Sequence, residues 1–152
     1  MVLLCLLCFF LTAAYGAEPA LQPVRACDVL SNPAQYEGKV LAIVGRFSFR
    51  STGRSLGEEA CEGAPRASMR VGFDKASAPK TPEHLEIDSA LVTKLVKTIQ
   101  QRTALAKFKF GTPDFDRWAV VYGRMERGKR PEDPPQLLCA GDSVVMFLVD
   151  RY

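Results

Sequence analysis

Lys39-Val40-Leu41-Ala42-Ile43-Val44-Gly45-Arg46-Phe47-Ser48-Phe49-Arg50 is a long alternating run. Leu41, Ile43, Phe47 and Phe49 fall on one face, expected to point inward, and Ala42, Val44, Arg46, Ser48 and Arg50 fall on the other, the period of a β-strand. Gly45 stands at its middle. A strand this long can serve two sheets only if it coils strongly. A residue without a Cβ tolerates that coil, although it also weakens the strand.

Downstream, Ser51-Thr52-Gly53-Arg54 is a turn signal and Ser55 to Glu59 reads as a second strand returning along the first. Gly63-Ala64-Pro65 breaks the chain. Ala67 to Phe73 then forms a third strand, with Met69, Val71 and Phe73 inward and Arg70 outward. After a loop, Asp88 is placed to cap a helix whose Leu91, Val92, Leu95, Val96 and Ile99 share one stripe. Ala106 to Phe110 reads as a lysine-edged extended segment. Arg117 to Glu126 is a fourth strand, apolar on both faces, and Ser143 to Val149 a continuous apolar fifth. Between these two, Arg127 to Pro135 is a rigid Pro-rich loop. Upstream of the first strand, Ala26 to Asn32 suits a short helix stopped by Pro33. Three strands, a helix and two strands, with a long glycine-bearing first strand, is the order of the OB-fold, a five-stranded Greek-key barrel.

The N-terminus gives the compartment. Residues 2 to 14 carry no charge and lead into Tyr15-Gly16-Ala17, as a signal peptide does. The apolar run is shorter than the roughly 20 residues of a membrane-crossing helix. Residues 1–16 are therefore expected to be a leader cleaved after about Gly16, and residues 17–152 a single secreted or periplasmic domain with no transmembrane anchor. Cys5 and Cys8 leave with the leader, so Cys27, Cys61 and Cys139 remain. In an oxidising compartment this gives one disulfide and one thiol.

The residues Cys27-Asp28-Val29-Leu30, Asn32-Pro33, Tyr36, Gly38-Lys39-Val40 and Gly45-Arg46, with Cys61 beyond them, resemble the opening of small secreted bacterial proteins of uncharacterised function with OB-like barrels. The resemblance implies a Cys27–Cys61 bond with Cys139 left over. A topological argument competes with it. In an OB-fold, strands three and five run parallel, which would bring the segments before them together and pair Cys61 with Cys139.

Chemistry is sparse in this chain. The 20 basic and 17 acidic side chains give a net charge of +3, too mild to point to a nucleic-acid or membrane partner. No nucleophile elbow, phosphate loop, dinucleotide fingerprint or metal motif is present, so no cofactor or metal is implied. The only histidine, His84, lies in a loop, and Cys139 has no neighbour that would activate it. Asp114 and Asp116, or the cluster Glu58, Glu59 and Glu62, could hold a hard cation, but turn formation, surface pairing and a solvated rim account for them as well. Strand one also lacks the carboxylate that staphylococcal-type nucleases on this fold carry.

Arg46, Arg50, Arg54 and Arg70 cluster near the surface that OB-folds use for ligands. Solubilised sheet edges would use the same residues. With Phe47, Phe49 and Phe73 all assigned inward, no aromatic is left to stack on bases, which argues against nucleic acid. The sequence therefore points to a non-catalytic binding module for an anionic ligand or an envelope protein. The alternative is a small cation-dependent hydrolase or nuclease. A third reading is a part of an envelope complex that makes contact through Arg127 to Pro135.

Overall fold

The computed structural model describes residues 20–58, 61–64, 66–83, 85–102, 115–130, 132–140 and 146–147. The leader, His84, Asp114, the 106–110 segment, Glu59 and most of the 143–149 run lie outside these residues.

The elements in chain order are β1 (Val24–Arg25), α1 (Ala26–Ser31), α2 (Pro33–Tyr36), β2 (Val40–Arg50), β3 (Gly53–Gly57), β4 (Ser68–Phe73), α3 (Ser89–Arg102), β5 (Phe115–Glu126), β6 (Gln136–Cys139) and β7 (Met146–Phe147). Five of the strands close a mixed barrel in the order β2-β3-β4-β6-β5, with β5 returning to β2. All of its pairings are antiparallel except β4 with β6. The closing pair runs from Val40 opposite Arg124 to Phe49 opposite Phe115, almost the full length of the predicted first strand.

Two apolar cores use the two faces of this barrel. Ile43, Phe47, Leu56, Met69, Val71, Val121, Met125 and Leu137 fill the interior, and α1 joins them through Ala26, Val29 and Leu30. Gly45 makes this possible: a Cβ there would meet the Gly57 carbonyl oxygen at 2.8 Å and the Ala26 Cβ at 3.2 Å. On the outside, α3 lays Val92 and Ile99 on Ala42, Val44 and Val120, with Leu95, Val96 and Trp118 alongside. Asp88 caps this helix, its Oδ1 accepting from the Leu91 N–H at 2.9 Å. The external core explains why the fourth predicted strand is apolar on both faces and why the outward face of the first opens with Ala42 and Val44.

Three expectations need correction. Pro33 does not merely stop a helix but opens α2, where its missing N–H has no cost. The second strand lies two residues earlier than expected, and Glu58 already leaves it. The fifth barrel strand is Gln136–Cys139, whereas the described part of the 143–149 run, Met146–Phe147, pairs with Ala119 and Val120 of β5. Four residues suffice because β6 is sealed between β4 and β5, and the prolines before it mask so short a signal.

Cys27 and Cys61 form a disulfide with their Cα atoms 5.0 Å apart, tying α1 to the loop after β3. The competing Cys61–Cys139 pairing fails because Cys139 ends β6, level with Phe73 at the end of β4, whereas Cys61 precedes β4. The Cys139 side chain is buried and takes no part in the disulfide.

Candidate functional site

The outer face of β2 changes character at Gly45. Ahead of it, Ala42 and Val44 are covered by α3; beyond it the outward positions are Arg46, Ser48 and Arg50. Across the sheet, Arg46 lies opposite Gly57, Ser48 opposite Ser55 and Arg50 opposite Gly53. The next strand sets Ser68 opposite Gly57 and Arg70 opposite Ser55. Nothing larger than serine therefore projects from this side of β3 between the arginines of β2 and that of β4, and the sheet carries a trough.

Two hollows make up this trough. One, of about 230 Å³, is bordered by Arg46, Ser48, Ser55, Gly57, Glu58 and Ser68. The other, of about 300 Å³, is bordered by Arg50, Arg54, Arg66 and Arg70 together with Ser55 and Ser68. They share Ser55 and Ser68 and so run into one another along β3. Among the described residues no carboxylate lines the arginine end, and Asp116 of β5 stands in register opposite Ser48 of β2. Arg66, which sequence reasoning passed over, reaches it from the β3–β4 loop and donates to the Glu132 carbonyl oxygen. Its signal was hidden, because a loop arginine has no periodicity to mark its side.

Arg54 stands apart from the other three predicted arginines. It is paired with Phe49, on the opposite side of β3 from Ser55, and its guanidinium lies 5.3 Å from the Phe49 ring and 4.5 Å from the Phe73 ring. The inward assignment of those two phenylalanines is corrected: Phe49 is 48% and Phe73 37% exposed, whereas Phe47 is buried. Alternation gave the correct side of each strand. What it could not show is where the barrel interior ends, and both rings lie past that point, at the mouth. The ground for setting nucleic acid aside is thereby removed.

The acidic candidates separate. Glu58 is not on a solvated rim but 8% exposed, with Oε2 accepting from Arg25 Nη2 at 2.7 Å and Oε1 accepting from the Cys27 N–H at 3.0 Å. Hydrogen bonding to Glu58 holds the Arg25 pKa above its ordinary value. Glu62 is exposed, and among the described residues no cluster of three His, Cys, Asp or Glu side chains could hold a metal ion. Searches of protein-family models, curated proteins and solved structures find no match to this chain.

Proposed function

We propose that the chain is an exported OB-fold-like binding module without catalysis, with residues 1–16 as its leader and 17–152 as its domain, and that the outer face of β2, β3 and β4 holds an anionic ligand. Arg46, Arg50, Arg54 and Arg70 are its binding residues, joined by Arg66. One observation carries this reading: Arg50, Arg54, Arg66 and Arg70 border one hollow of about 300 Å³ in which, among the described residues, no carboxylate takes part. Such a hollow focuses positive potential and suits oxoanions, which guanidinium groups meet with a planar fork of donors.

The OB-fold assignment is supported by the strand order, with a parallel pair between the third and fifth barrel strands and a helix between the third and fourth. Its departure from that pattern is that α1 joins the interior core while α3 packs outside. Export is supported by the disulfide, a bond that persists in oxidising compartments. Among the described residues no helix is long and apolar enough to cross a membrane.

Calorimetric titration of the chain with tripolyphosphate tests the binding reading. Binding that weakens as salt rises, and at least tenfold in an Arg54→Ser, Arg70→Ser double variant, is expected. Affinity unchanged in that variant would move the site elsewhere. Non-reducing peptide mass mapping of the exported protein tests the leader, with a mature start at Ala17 expected and a chain still beginning at Met1 against it.

A further inference from the structure

We infer that the mouth of the barrel, where Phe49, Arg54 and Phe73 meet, docks a partner protein through a carboxylate side chain set beside an apolar one. This surface lies on the interior side of β2, β3 and β4, opposite the serines of the trough, and goes beyond the anion-binding reading. Neither hollow of the trough is lined by Phe49 or Phe73.

The rings continue the barrel's inward positions past the point where the interior is filled. Phe47 on β2 and Val71 on β4 are buried, and Phe49 and Phe73, two residues further along each strand, are the large apolar side chains left exposed among the described residues. Two exposed apolar side chains are ordinary by themselves. What sets this pair apart is the cation between them.

Arg54 stands opposite Phe49 in the β2–β3 ladder, and its guanidinium lies over both rings, 5.3 Å and 4.5 Å from their centres. Arg25, Arg127 and Arg130 each pair with a carboxylate. Among the described residues Arg54 has no carboxylate partner and rests on the rings. A guanidinium is planar with five donors around its edge, so contact on its faces leaves that edge open to a bidentate carboxylate. The rings also hold the group in place beforehand, so less freedom is lost when the carboxylate arrives.

Charge and shape together select the occupant. One cation matches one carboxylate, and the rings call for apolar neighbours on the same partner; an inorganic anion would leave them wet. Behind the mouth the interior is packed with Phe47, Leu56, Met69 and Val71, so an acyl chain finds no depth to enter. Small-ligand sites are concave and enclose most of the ligand, whereas a shallow patch is best covered by a broad surface such as a protein's. Aromatic and arginine side chains are the ones that dominate such interfaces. Two copies docked mouth to mouth would set Arg54 against Arg54 and bring no carboxylate between them.

Selection of a random peptide display library on the full, disulfide-bonded chain tests this. The expected result is enrichment of peptides carrying an aspartate or glutamate next to an aromatic or aliphatic residue. A synthetic copy of the leading sequence should lose about tenfold in affinity on a Phe49→Ser, Phe73→Ser chain and on an Arg54→Gln chain, and keep its affinity on Arg70→Ser. Should the ring variant not fold, Arg54→Gln decides. Replacing the peptide's acid by its amide should cost a similar factor on the parent and nothing further on Arg54→Gln. Tripolyphosphate should behave in reverse, weakened by Arg70→Ser and indifferent to the ring changes, so failure of one site leaves the other standing. No enrichment, enriched peptides that lack the acid or its apolar neighbour, or full affinity on either mouth variant overturns the inference. Tighter binding of dodecanoate than of the peptide, lost with the rings, would assign the mouth to an amphiphile. A dimer in sedimentation that the ring variant abolishes would assign it to a second copy, and both outcomes overturn the inference too.

Discussion

Arg25 and Glu58, 33 positions apart in sequence, meet at 2.7 Å with the carboxylate 3% and the guanidinium 13% exposed. The pair fastens the start of α1 to the end of β3. The second carboxylate oxygen takes the Cys27 N–H, so one glutamate caps the first turn of α1 and neutralises the arginine before it. Glu58 is thus committed to the fold rather than to a cation.

Glu58→Ala strands the Arg25 charge in a nearly dry place and is expected to cost about 3–5 kcal/mol. Arg25→Met with Glu58→Leu should cost less, since both charges leave together and only the Cys27 N–H is orphaned, worth about 1–3 kcal/mol. Urea unfolding separates the two cases. A single variant no worse than the double would show that the pair contributes only volume.

The disulfide closes a sequence separation of 34 residues. By the chain-entropy argument, Cys27→Ala with Cys61→Ala lowers stability by about 4 kcal/mol. Cys139→Ala leaves the bond in place, and non-reducing peptide maps of parent and variant should both show the linked Cys27 and Cys61 peptides. A Cys139-containing linked peptide would contradict the pairing.

Gly57 is where β3 and the start of β4 touch. A Cβ there would meet the Ala67 carbonyl oxygen well inside van der Waals contact and the Ser68 Cα at 2.7 Å, both backbone atoms. Gly57→Ala is therefore expected to destabilise by about 1–3 kcal/mol or more and to disturb the trough floor. Thermal melts together with tripolyphosphate affinity check this; a variant matching the parent in both would mean that the two strands can part at no cost.

Burial pushes the Tyr122 phenol above its ordinary value of 10.0. The folded chain thus favours the neutral ring. Stability from this source is complete below the unfolded pKa and is lost as pH rises through the folded one. Tyr122→Phe should leave the melting temperature's pH dependence unchanged near neutrality and flatten its fall above about pH 10. An equally steep alkaline fall in the variant would assign the loss to other groups.

Much of the barrel was legible because alternation and glycine placement are local. Leu41 to Phe47, Met69 to Val71 and the stripe of α3 show their faces in the sequence, and each packs on the side expected. β6 was not legible, since four residues behind two prolines carry no period and its pairing comes from neighbours distant in sequence. Cys61 with Cys139 was a topological expectation that failed once the fifth strand moved. Among the site residues, Arg46, Arg50 and Arg70 border the expected face because side alternation places them. Arg66, the buried Glu58 and the exposure of Phe49 and Phe73 depend on how a loop returns and where the interior ends, which no single segment encodes.

The most direct measurement is an amide chemical-shift map of the isotope-labelled chain during titration with tripolyphosphate. Shifts concentrated at Gly53, Arg54, Ser55, Ser68 and Arg70, saturating together and shrinking as salt is raised, are the predicted result. Shifts that avoid β3 and β4, or small shifts spread evenly over all basic surfaces without saturation, would contradict a ligand site in the trough.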